Sequence, residues 1–332
     1  MSSPGRHTAS VGVVLRVWHK ETAAGGRTVL DMGRGNASAC YRELGAELRQ
    51  RREVAGLTGD DIGRVTGWHR SKVSRVELGH AEISVVDAIH YLAACKVFAT
   101  EAKDILDLCR DAERKLGYWV AAHGEWLADS FSSLIYHEAT ADRWVGYEPM
   151  VVPGLLQTRG YARAWMERTP TLSGEAIDAA VRRRGDRQQV LHRPTPGWFT
   201  FFVHEQALRL QVGNRAIMHE QLLKVVLMAA LPHVSLRVLP ASAGERGLFG
   251  GSFQLFEYRD HNPLVYFSSA WNGVFLEDRD FVADYRRLLP DLASVALDEG
   301  ESRAFTAELA DALDRRSLRR DAGIYELEEE QL

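Results

Sequence analysis

From position 70 the chain reads Arg-Ser-Lys-Val-Ser-Arg-Val-Glu-Leu-Gly. Arg70, Ser71, Lys72, Ser74 and Arg75 are the side-chain types that hydrogen-bond base edges and phosphate oxygens. On a helix they crowd the first two turns, while Val73 and Val76 take inward positions. Such chemistry needs a rigid mount, and the preceding residues supply one. Thr58 and Asp61, three apart, form a capping box that sets where an earlier helix starts. Gly63 is small enough for two helices to touch there. Gly67 makes the turn in a backbone conformation that is cheap only for glycine, and Trp68 closes it apolarly. Ile62 joins the two valines inside. In a helix-turn-helix of this kind the second helix lies in the major groove, its N-terminal residues nearest the bases. A helical hairpin with a merely solvated basic face is the plainer alternative. The joint occurrence of Gly63, Gly67 and the capped start favours DNA reading.

The elements around this helix can be placed by period. Leu44, Leu48 and the stem of Arg52 recur at helical spacing before Gly56. Further helices are expected over 58–66, 70–78 (with Gly79 as the stop), 84–95 and 101–116. Five short helices make an all-α domain over 40–116. Ahead of it, residues 1–38 are rich in Gly, Ser, Thr and Ala and are expected to form a disordered arm, with Met32 a candidate for the true start. Residues 117–128 read as a linker. The stretch 129–313 then reads as an α+β domain with a mostly antiparallel sheet. Its helices are expected over 129–144, 157–167, 173–191, 214–231, 278–289 and 301–313. Its strands are expected over 198–204, 234–239, 253–258, 264–268 and 273–276. The tail 314–332 runs from basic to acidic and is expected to fray.

Composition bounds the rest. At 332 residues two domains are expected, and 45% hydrophobic with 26% charged residues excludes fibrous or largely disordered chains. The net charge is −4, so any nucleic-acid surface must be local. Residues 41–80 hold eight Lys/Arg against six Asp/Glu, a net +2. Three cysteines, none paired as C-x-x-C, argue against a disulfide framework or zinc ribbon and fit a reducing cytoplasm. No run approaches the ~20 apolar residues that span a bilayer, and the apolar stretch 11–18 is short and interrupted by Arg16.

Enzymatic constellations fail one by one. His137-Glu138, His204-Glu205 and His219-Glu220 lack the second histidine one turn on: positions 141, 208 and 223 are Ala, Leu and Leu. The glycine-rich 244–251 lacks the Lys-Ser/Thr ending of a phosphate loop, and no Gly-x-Ser-x-Gly elbow occurs. No catalytic residue, metal ligand or cofactor is expected. Cys95 and Cys109 read as packed thiols. Trp198, Phe253, Tyr266, Phe267 and Trp271 read as sheet core rather than a ligand pocket. Arg182–Arg184 and Arg187 read as a solvated helix face rather than a second binding surface.

Residues 41–116 resemble the lambda-repressor/Cro-type helix-turn-helix domain of the XRE family, with 70–79 matching its recognition helix and closing Glu-x-Gly. Residues 147–164, Tyr-Glu-Pro-Met-Val-Val-Pro-Gly-Leu-Leu-Gln-Thr-Arg-Gly-Tyr-Ala-Arg-Ala, resemble the opening signature of the C-terminal domain of WhiJ-like, antitoxin-like actinobacterial regulators. Residues 238–244 and 274–278 continue that likeness. It implies a transcriptional regulator whose C-terminal domain senses a partner, often a small protein. Carried over by position, Arg70, Ser71, Lys72 and Arg75 face DNA, with Ser74 behind them. Where many members begin the first motif helix with glutamine, this chain has Gly59, so Arg49, Arg51 and Arg52 are expected to take up the phosphate contacts.

The expectation is therefore a cytoplasmic, nucleoid-associated, non-enzymatic regulator, a repressor that binds double-stranded DNA as a homodimer at a pseudo-palindromic operator. A small protein or small-molecule effector would act through its C-terminal domain, without a membrane. An antitoxin-like module that sequesters a small partner and uses DNA binding for autoregulation is the alternative.

Overall fold

Apolar residues at helical spacing close the N-terminal half around a helical core. The computed structural model describes residues 38–122, 130–168, 172–268 and 272–329. The expected arm up to residue 37 with Met32, and also Trp126, Trp271 and Glu330, lie outside them. Among the described residues five helices come first: α1 (Ala39–Val54), α2 (Gly59–Thr66), α3 (Arg70–Glu77), α4 (Val85–Ala94) and α5 (Ala99–Arg114). Leu44, Leu48, Ile62, Val73, Val76, Tyr91 and Leu92 meet between them and are buried. Each comes from an inward position of its helix.

The second half is built on a seven-stranded mixed sheet ordered β1-β7-β6-β5-β2-β3-β4. The strands are β1 (Tyr118–Ala122), β2 (Arg143–Glu148), β3 (Trp198–His204), β4 (Val234–Leu239), β5 (Phe253–Glu257), β6 (Leu264–Ser268) and β7 (Asn272–Leu276). Only β2–β3 and β3–β4 pair in parallel; the other four pairings are antiparallel. Parallel neighbours need long crossovers. These carry α7 (Arg159–Met166) and α8 (Gly174–Arg187), then α9 (Glu205–Arg209) and α10 (Arg215–Met228). Along β3 the side chains alternate. Phe199, Phe201 and Val203 join the core that holds Leu222 and Val225 of α10 and Ala310 of α12 (Glu299–Glu329). Phe202 joins the opposite core with Val282 and Leu292 of α11 (Arg279–Val295).

Four expectations change. The helix expected over 129–144 is α6 (Ser130–Thr140), and Trp144 instead belongs to β2. That strand sits between β5 and β3, so residues 144–147 are buried on both faces and show no alternation to distinguish them from helix. Residues 118–122, read as linker, pair antiparallel with β7 as the sheet edge. The segment read as a fraying tail continues α12 to Glu329, in keeping with its Arg, Leu, Ala and Glu content. Trp198 is not core: it is 64% exposed, whereas Phe253 and Tyr266 are buried.

Candidate nucleic-acid interface

The mount of α3 is set by local chemistry. Thr58 Oγ1 accepts from the Asp61 N–H at 3.2 Å, and Asp61 Oδ2 accepts from the Thr58 N–H at 2.8 Å. This reciprocal cap holds the Asp61 carboxyl below its usual range. A Cβ at Gly63 would stand 2.6 Å from the Trp68 carbonyl oxygen, so the chain after α2 can pass only over glycine. Gly67 caps α2 at φ +73°, in the left-handed region. His69, which the sequence reading passed over, then caps α3: its Nδ1 accepts from the Ser71 N–H at 3.3 Å and lies 2.9 Å from Ser71 Oγ.

With Val73 and Val76 buried, Arg70, Ser71, Ser74 and Arg75 are exposed together on the opposite face of α3. Ser74 thus stands beside Ser71 rather than behind the others. Arg70 reaches only the exposed Asp60, at 3.5 Å, a pair of the kind that contributes about 0–1 kcal/mol and separates readily. Lys72 leans to the flank. Its Nζ lies 4.1 Å from the centre of the Trp68 ring and 3.6 Å from Asp87.

The three arginines of α1 divide. Arg49 is exposed and bonded to Glu53 at 2.7 Å. Arg51 is half-buried, with an Nε that has no hydrogen-bond partner among the described residues. Arg52, expected at phosphate, is turned into the protein instead. It donates twice to Glu77, at 2.7 and 2.8 Å, and once to the Leu57 carbonyl. Tyr91 donates to the same carboxylate at 2.6 Å. Glu77 is the glutamate of the closing Glu-x-Gly at the end of α3, and its ties to α1 and α4 lock that helix in place. Its position was legible; its partners, 25 and 14 residues away, were not.

The C-terminal half grips the reader directly. Ser38 caps α1 without a side-chain bond of its own. Glu277, one residue past β7, supplies the acceptor instead, taking the Ala39 N–H at 2.6 Å and the Ser38 hydroxyl at 2.8 Å. Beside it, the buried Arg42 and Glu43 of α1 face α6 and the residues after β5. Ser133 donates to Glu43, and His137 Nε2 lies 3.6 Å from Glu43 Oε2. His137 Nδ1 meets the Tyr258 hydroxyl at 2.8 Å, and the Arg42 guanidinium lies 4.3 Å from the centre of the Tyr258 ring. Burial pushes His137 below its ordinary pKa against the pull of Glu43.

The residues of the 147–164 signature build scaffold. Tyr147 donates to the Gly247 carbonyl and accepts from the Phe249 N–H. Gln157 donates to the Val152 carbonyl at 2.7 Å, and the Thr158 N–H donates to Gln221 at 2.7 Å. Arg184 reaches Gln157 at 2.5 Å, and Arg187 holds Glu138 through two bonds of 2.6 and 2.7 Å. This corrects the reading of Arg187 as part of a solvated face, since Arg187 and Glu138 are buried together, while Arg182 is exposed. Burial pushes Glu148, in the same cluster, up to about 8 against the pull of Arg187 and Arg184.

All three cysteines are free and buried, and burial pushes the Cys95 and Cys109 thiols up to about 11 and about 12. Among the described residues no group of His, Cys, Asp and Glu could hold a metal ion. Among them, too, no helix is long and apolar enough to cross a membrane.

Residues 43–103 match a family described as a helix-turn-helix domain. Residues 131–308, more than half of the chain, match a domain of unknown function, DUF5753. No curated protein matches the chain. The first match covers α3 and its mount, which makes DNA binding by a regulator the plain reading of the N-terminal half. The second begins in α6 and runs into α12. The chain belongs to the DUF5753 family, with that domain following a helix-turn-helix domain.

Proposed function

We propose that the protein is a sequence-specific repressor that binds a pseudo-palindromic operator as a homodimer, working in the cytoplasm at the nucleoid. A small protein or small-molecule effector acts on it through the C-terminal half. The carrying observation is the face of α3, where Arg70, Ser71, Ser74 and Arg75 are exposed together on a helix locked from behind by Arg52, Glu77 and Tyr91. In this reading Arg70 and Arg75 contact base edges, Lys72 flanks the groove, and Arg49 and Arg51 meet phosphates. Two readers about one duplex turn (~34 Å) apart would contact two half-sites. Glu277 and the Glu43–His137 contact tie each reader to the C-terminal half, so an effector that shifts that half moves the recognition helix with it.

Selection of bound fragments from genomic DNA, followed by titration on the recovered site, tests this. Two related half-sites one turn apart are expected. The Arg70→Ala, Arg75→Ala double variant should lose discrimination, and Arg49→Ala should weaken binding to all sequences and flatten the salt slope by about one unit. Unchanged operator affinity in the double variant sinks the assignment.

The antitoxin-like reading draws on Leu223 and Leu227, exposed one turn apart on α10. A partner held there would co-purify with the wild-type chain and be lost from a Leu223→Asp, Leu227→Asp variant that still binds operator.

A further inference from the structure

The face of the sheet that carries α11 has two unlike ends. Toward the C-terminal ends of the parallel strands, Val145, Tyr147, Phe253 and Leu255 are buried with Val282 and Leu292 of α11. Toward the other end, the same face of the same strands carries Arg143, Thr200, Ser235 and Glu257. Thr200 stands directly opposite Ser235 across β3 and β4, so their hydroxyls are neighbours. Between this polar end and α11 lies a cavity of about 510 Å³, within the range of small-molecule sites.

Its charge is unbalanced. Glu257 receives Arg143 at 2.9 Å and Arg286 of α11 at 2.7 Å, so two cations share one carboxylate. Each guanidinium has five N–H donors, and both arginine side chains remain about half exposed, at 50% and 49%. Arg237, also at the cavity, donates to the Leu297 and Ala293 carbonyls at 2.7 and 3.0 Å and adds positive charge, with no ion pair to an acid among the described residues. The floor is apolar, formed by Phe202 with Leu289 and Pro290 of α11. At the rim Trp198 pairs in register with Arg143 and is 64% exposed, an aromatic face left in solvent.

We infer that this cavity binds a small organic anion that joins one acidic head group to a planar apolar body. The head group lies between Arg143 and Arg286, the body lies against Leu289 and Pro290, and the Thr200 and Ser235 hydroxyls orient it. One negative charge balances the Arg143–Glu257–Arg286 triad. The site also has a route to the reader. Arg286 and Leu289 lie on α11, which begins two residues after Glu277, the carboxylate that caps α1. A ligand bridging α11 to β2 and β3 therefore acts on the helix that directly follows the carboxylate capping α1.

This deepens the effector reading proposed above and rests on it only for its consequence at DNA. Its test reads ligand binding alone, so either can fail separately. The probes are the fluorescent aromatic anion 8-anilinonaphthalene-1-sulfonate and its uncharged relative N-phenyl-1-naphthylamine, titrated against the full chain and against Arg143→Gln and Arg286→Gln. The anion should bind one site per chain, be displaced by benzoate but not by benzyl alcohol, and lose about tenfold in affinity in either variant. The uncharged probe should show no such difference. Thermal melting of each variant confirms its fold. Equal anion affinity in parent and folded variants, or equal losses for both probes, overturns the site. Displacement by benzyl alcohol as readily as by benzoate would reduce it to an apolar crevice.

Discussion

Arg70 and Arg187 are each paired with a carboxylate, and the two pairs lie in opposite worlds. Arg70 and Asp60 stand 3.5 Å apart, with side chains 75% and 58% exposed. Arg187 and Glu138 stand 2.6 Å apart, with side chains 5% and 0% exposed. In water the first pair is weak and separates readily. Inside the fold the second is held by geometry and by the cost of leaving either charge alone. Arg52 with Glu77 lies between these limits, near the surface yet turned inward. Arginine content therefore says little about where DNA binds; the environment around each guanidinium decides it.

That contrast can be broken by experiment. The largest effect is expected at the buried pair. Arg187→Ala takes both donors from the buried Glu138 carboxyl, which burial already pushes above its ordinary pKa, and urea unfolding should show a loss of about 3–5 kcal/mol. A loss no greater than that of an ordinary surface substitution would erase the distinction. Next comes Gly63→Ala, where the new methyl would meet the Trp68 carbonyl at 2.6 Å. About 1–3 kcal/mol should be lost, with operator affinity falling as α3 is displaced. A third effect is read through pH. Because Glu148 is pushed up to about 8, the folded chain holds that proton more tightly than the unfolded chain does. Its contribution is complete below the ordinary value of 4.5 and is lost as pH rises toward about 8. Melting curves of Glu148→Gln against the parent should diverge in the variant's favour across that window, and parallel curves would reject the burial of this group. The smallest stability effect is expected at Arg70→Ala, within about 0.5 kcal/mol, although the same change should weaken operator binding.

Much of the reader was legible because its determinants lie within twenty residues. The Thr58–Asp61 cap, the glycines at 63 and 67 and the inward valines of α3 interact over spacings of three to ten positions, where backbone geometry ties sequence distance to spatial distance. β2 was missed for the opposite reason: a strand buried on both faces has no alternation, and only its neighbours β5 and β3 distinguish it from a helix. Trp198 was misplaced because its strand pattern is that of a core position, while α11 leaves that end of the sheet uncovered.

Local chemistry in the chain settled that a capped helix-turn-helix exists and which side chains of α3 cannot be inward. Tertiary packing settled which arginines keep water and which lose it, that Arg52 locks α3 through Glu77, and that Glu277 caps a helix 238 residues away. Contacts across such separations leave no spacing to read, because the loops between them can have any length, and only folding brings the partners within hydrogen-bond reach.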